Sequence, residues 1–148
     1  MKNELLTAFE EDLAKLTEEL ESFADYKLLW TALPGVPNSP GNLILHLMGN
    51  LNHYIGAKLG NSGYVRDRPL EFSSGPVPRS EMLRRLEDTR AVVLNAITGL
   101  SNEDLLADYS ADEGDDIRTV GAELVRILKH LNYHLGQINY HRRAAAGS

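Results

Sequence analysis

Residues 119–138, TVGAELVRILKHLNYHLGQI, decide the fold class. Val120, Leu124, Ile127, Leu131, Leu135 and Ile138 recur at steps of three and four. That spacing puts them on one stripe of an α-helix, with polar and charged residues elsewhere. Thr119 is a good N-cap, and the pattern continues to about Arg143. Two histidines, His130 and His134, stand one turn apart beside the stripe. A helix of this kind must bury its apolar face against something, and the rest of the chain supplies more helices.

Upstream, Leu6, Phe9, Leu13, Leu16, Leu20 and Phe23 form a second such stripe, and this helix is expected to end before Leu33-Pro34-Gly35-Val36-Pro37. Ser39 as N-cap and Pro40 at the first helical position start another helix. It carries Leu43, Leu47, Leu51 and Tyr54 and stops at Gly60-Asn61-Ser62-Gly63. Ser80 to Ile97 gives a further helix, with Met82, Leu83, Leu86, Val93, Leu94 and Ile97 as its inner face. Between these two lies a long loop, Tyr64 to Pro78, of a length that is often functional. Ser101-Asn102-Glu103-Asp104 reads as a capping box or short helical turn, and Asp112 to Asp116 as a solvated acidic loop. No stretch alternates as a strand does. The reading is all-α: one four-helix-bundle domain over residues 1–143, followed by a flexible tail at 144–148.

Composition narrows the function. The 148 residues hold 15 Lys+Arg against 21 Asp+Glu, a formal net charge of -6. An acidic chain without a basic stripe is a poor binder of nucleic acid. No apolar run approaches the ~20 residues needed to span a bilayer. The N-terminus lacks the pattern of a signal peptide, and a cytoplasmic location is expected. The chain has no cysteine, which removes disulfides, thiolate metal ligands and a cysteine nucleophile.

All five histidines fall on the second and fourth of the long helices. At about 100° per residue, His130, His134, Gln137, His141 and Glu123 border the apolar stripe of the fourth helix. His46, Asn50 and His53 do the same on the second. Histidines at i and i+4 can grip one metal ion, and a facing helix is the natural source of a third nitrogen. Either His46 or His53 can supply it. They stand about 10 Å apart along the axis, so they cannot share one ion. Three imidazoles leave a coordination position open, as catalytic sites do. They suit zinc, nickel, copper or iron, and the ligand type does not choose among these; zinc or nickel is the expected ion. The competing reading is a set of edge histidines that hydrogen-bond to Glu123, Asn50 or one another.

Gly41-Asn42-Leu43-Ile44-Leu45-His46-Leu47, followed by Gly49-Asn50-Leu51, resembles the second-helix motif of the DinB-like superfamily. His130-Leu131-Asn132-Tyr133-His134-Leu135-Gly136-Gln137-Ile138 resembles its fourth-helix motif. Tyr64-Val65-Arg66-Asp67-Arg68 with Glu71-Phe72 resembles the loop of one uncharacterised branch. The resemblance implies a four-helix bundle, often a homodimer, with one divalent metal held by three histidines. It aligns His46, His130 and His134 with those ligands. Characterised relatives include thiol S-transferases that use bacillithiol or mycothiol, and a glutathione-using isomerase shares the fold more distantly.

The expected function is therefore a metal-dependent enzyme acting on a small molecule. It would transfer a low-molecular-weight thiol to an electrophile or, as a second version, carry out metal-assisted hydrolysis. The alternative is a non-catalytic metal-binding or dimeric helical scaffold. His53, His141 and Gln137 are candidates for supporting the site, or else are edge residues. Arg66 and Arg68 are candidates for holding a substrate carboxylate or thiolate, or else form a local network with Asp67, Glu71 and the acidic loop.

Overall fold

The four apolar stripes become four long helices in the computed structural model, which describes residues 1–146. Helix α1 is Lys2–Glu21 and buries Leu5, Phe9, Leu13, Leu16 and Leu20. It stops well short of the expected end near Leu33. Ser22 Oγ donates to the Glu18 carbonyl at 2.6 Å, and Asp25 then caps a separate short helix, α2 (Tyr26–Leu29), by accepting from Lys27 N. Phe23 still reaches the core from the break, at 2 % exposure. The apolar spacing therefore runs on where the helix does not.

Helix α3 begins as read from the sequence: Ser39 accepts from Asn42 N and Pro40 opens the first turn. It covers Pro40–Leu51, continues through a π-helical turn at Asn52–Ala57 and closes at Lys58–Gly60. Asn61, with φ 49°, ends it in the left-handed region. Every residue from Leu43 to Leu51 is buried, so α3 is covered on all sides. Part of that cover is α4 (Arg68–Ser73), a short helix inside the expected loop, capped by Asp67 accepting from Leu70 N. Helix α5 is Arg79–Thr98 and helix α6 is Val120–Ala146.

Side-chain contacts fix the directions. Lys2 meets Thr98 and Asn102 at one end of α1, and Arg79 meets the Leu20 and Phe23 carbonyls at the other. Helices α1 and α5 are thus antiparallel. Asn132 pairs with Asp12 and Asn139 with Glu19, so α1 and α6 are parallel. His46 pairs with His130 while Arg126 lies over Tyr54, so α3 and α6 are antiparallel. It follows that α3 and α5 run the same way. The chain must return along the bundle between them, which is why the segment after Gly60 is long.

All six residues named for the fourth stripe are buried, in one core with residues of the other long helices. Ser101 and Asp104 cap each other reciprocally ahead of a 3-10 turn at Asp104–Leu106. Among the described residues the only pairing of extended backbone is one isolated bridge between Asp108 and Thr119. No described helix is long and apolar enough to cross a membrane. The domain expected to close at residue 143 continues in helix to Ala146. The rest of the expected tail, Gly147 and Ser148, lies outside the described residues.

Candidate metal centre

Three of the five histidines come together. His46 projects from the buried middle of α3, with 6 % exposure. His130 and His134 project from one face of α6, at the edge of the stripe that buries Ile127, Leu131 and Leu135. His46 Nε2 lies 3.1 Å from His130 Nε2, and His134 Nε2 lies 3.1 Å from the same atom. The three ligand atoms fall within 4.8 Å of one another. Two nitrogens bound to one zinc at about 2.0–2.1 Å would be about 2.9–3.4 Å apart. The two 3.1 Å separations lie in that range, and the third pair, within 4.8 Å, would draw closer around a shared ion.

Protonation agrees. His46 Nδ1 is 2.9 Å from Glu71 Oε1. A carboxylate only accepts, so Nδ1 carries the proton and Nε2 keeps its lone pair. His134 Nδ1 is 2.6 Å from Gln137 Oε1, which assigns its proton in the same way. Both Nε2 lone pairs therefore face the Nε2 of His130, which has one proton at most to offer them. His130 Nδ1 is meanwhile buried without a partner. A proton on Nδ1 and a cation among the three Nε2 atoms would satisfy the lone pairs. The donor set fits a divalent ion, and it fits neutral imidazoles. Burial pushes the His130 pKa down to about 4, helped by His134, His46, Arg126 and Arg66. Burial also lowers that of His46, although Glu71 pulls the other way.

Glu71 stands on α4, inside the segment that the sequence predicts to be a loop. It is 25 positions from His46 and 6 % exposed. Arg66 grips both its oxygens, Nε to Oε2 at 2.8 Å and Nη2 to Oε1 at 3.0 Å. The carboxylate lies where a side chain on Gly49 would be: a Cβ there would sit 1.9 Å from Oε2. Phe72, next along α4, covers His46 with ring centroids 4.8 Å apart. A legible signal existed in Asp67-Arg68-Pro69, an N-cap followed by proline in the first turn. It announces a helix, and a helix gives Glu71 and Phe72 an inward face.

Of the other candidates, Gln137 and Arg66 adjoin the triad, and Arg68, His53 and His141 do not. Arg66 is committed to Glu71, as the local-network alternative expects, but without the acidic loop. Arg68 is exposed and lies over the Phe72 ring at 5.3 Å. His53 pairs with Asp112 at 2.7 Å, which also holds Lys58. His141 is buried and donates from Nε2 to the Thr31 carbonyl at 2.9 Å, tying α6 to the chain after α2. Gln137 alone of the supporting candidates touches a member of the triad. Glu123 is held by Arg126 and Arg118. A cavity of about 610 Å³ opens beside His134 and Gln137, walled by Leu33, Leu43, Tyr133 and Tyr140.

The family model of the DinB superfamily matches residues 8–138. The fold is similar to that of a DinB-like protein from Bacillus cereus ATCC 10987, with TM-score 0.71 and 17% identity over 96% of this chain and 91% of that one. No curated protein matches the sequence.

Proposed function

The chain belongs to the DinB superfamily, and on that footing we propose that it is a divalent-metal-dependent enzyme that joins a low-molecular-weight thiol to a small electrophile. The observation that carries the metal is the convergence of three Nε2 atoms, two of them with tautomers set by Glu71 and Gln137. Zinc or nickel suits an all-imidazole set. The ion would supply Lewis acidity, lowering the pKa of a thiol or water at the open position.

The two versions of the chemistry make different demands on the protein. Hydrolysis needs a group to take a proton from water. The buried carboxylates near the histidines are both engaged, Glu71 with His46 and Arg66, Glu123 with Arg126 and Arg118. A thiol ionises far more readily and needs no such base. This favours transfer over hydrolysis. The chain has no cysteine, so the thiol must come as a cosubstrate. The apolar walls of the cavity beside His134 suit the body of an electrophile. The family resemblance further supports a homodimer. The alternative remains a helical module that holds the ion without turnover.

The test is a screen of the zinc- or nickel-loaded protein. Small thiols such as bacillithiol, mycothiol or glutathione would be paired with halogenated or epoxide electrophiles, with conjugates read by mass spectrometry. Conjugate formed by the parent and lost in His130→Ala supports transfer. A loaded protein that forms no conjugate and hydrolyses no ester or amide in the same screen leaves the non-catalytic module.

A further inference from the structure

We propose that Glu71 is a positioning residue that sets the tautomer of His46, and that Arg66 and Gly49 serve that same task. The proposal rests on the metal-site reading above. A neutral imidazole donates from one nitrogen and accepts at the other, and its partner decides which. Only the form with the proton on Nδ1 leaves Nε2 free to bind a metal. Glu71 Oε1, 2.9 Å from Nδ1, selects that form.

The carboxylate is itself held from several directions. Arg66 has donors and no acceptor, so its two bonds to Oε2 and Oε1 stop the carboxylate from turning. Arg66 Nη2 is 3.4 Å from His46 Nδ1, and with both atoms carrying protons neither accepts from the other; Glu71 receives both. Asn42 Nδ2 donates to the Glu71 carbonyl at 3.1 Å and to the Ser74 carbonyl at 2.9 Å, which pins the end of α4 to α3. Gly49 leaves the space that the carboxylate fills. Asn42 already staples α4 to α3, and the Arg66–Glu71 pair is local to the segment that enters α4, so neither needs the Glu71 carboxylate to meet a metal ligand. Outer partners of this kind typically change metal affinity by about 10–100-fold.

Glu71→Gln separates the two roles. Arg66 can only donate, so it would claim the amide oxygen. The amide nitrogen would then face His46 Nδ1 and drive the proton to Nε2. The experiment uses the full chain with 15N-labelled histidine, freed of metal, and reads the His46 tautomer by NMR. Zinc affinity is then measured by competition with a chromophoric chelator, and helicity by circular dichroism. The expected result is Nδ1–H in the parent, Nε2–H in Glu71→Gln, and a 10–100-fold loss of zinc affinity at unchanged helicity. Should Glu71→Gln not fold, the parent tautomer alone decides. Nε2–H at His46 in the metal-free parent would overturn the proposal, as would a Glu71→Gln protein that binds zinc like the parent. A parent that binds no zinc would overturn the metal-site reading and this proposal together.

Discussion

Replacing Gly49 by alanine sets two effects of opposite sign against each other. In a helix interior, alanine is better than glycine by about 0.8–1.0 kcal/mol, so propensity alone predicts a gain. The structure predicts a loss. The new Cβ would stand 1.9 Å from Glu71 Oε2 and 2.5 Å from Cδ, where ordinary contact begins at 3.4 Å. The carboxylate would have to retreat by about 1.5 Å, and Arg66 and His46 hold it at 2.8 to 3.0 Å. Displacement breaks hydrogen bonds to charged groups, each worth about 1.5–3 kcal/mol. After the propensity gain the net loss is about 1–4 kcal/mol. For a domain of this size that lowers Tm by about 3–13 °C. The assay is thermal and urea unfolding of metal-free protein followed by circular dichroism. Gly136→Ala is the internal control: nothing lies within 4 Å of its added Cβ, so it should gain up to about 1 kcal/mol. A Gly49→Ala protein as stable as the parent, or more so, would refute the packing of Glu71 against the α3 backbone.

Two further outcomes follow from other parts of the molecule. His141→Leu removes the bond to the Thr31 carbonyl; it should cost about 1 kcal/mol in urea unfolding and leave metal stoichiometry unchanged. A fall in bound metal would show that His141 serves the site after all. Burial opposes the ionisation of Glu123, but Arg126 and Arg118 outweigh it and hold its pKa below 4.5. A depressed carboxylate stabilises the fold above its unfolded pKa, and that contribution fades as pH falls through the lower folded value. Glu123→Gln should therefore lose stability at pH 7 and show a shallower decline toward pH 3 than the parent. Equal acid limbs in the two proteins would contradict this.

Local signals read well where a segment's own residues decide its state. The α6 stripe and the Ser39-Pro40 start of α3 are of that kind. So are the reciprocal caps at Ser101 and Asp104. The histidine pair on α6 was legible because i and i+4 are neighbours by helix geometry alone. What was not legible depends on partners distant in sequence. His46 and His53 occupy the same seam, and spacing cannot separate them. The structure separates them through Glu71 and Asp112, 25 and 59 positions away. His141 looks like another member of the seam until Thr31 is placed opposite it, 110 positions away. The end of α1 is not legible from spacing because Phe23 keeps the apolar rhythm from outside the helix. Glu71 does not stand out in the sequence because its six-residue helix lies inside a stretch rich in Gly, Pro and Ser.

The proposed chemistry requires that His46, His130 and His134 bind one divalent ion. Elemental analysis of untagged protein, purified without chelator and compared with a His130→Ala, His134→Ala double variant, tests it most directly. The account predicts about one equivalent of a transition metal in the parent and none in the variant. A parent that holds no metal, even after incubation with zinc or nickel, would contradict it and leave the three histidines as hydrogen-bonding residues of a helical bundle.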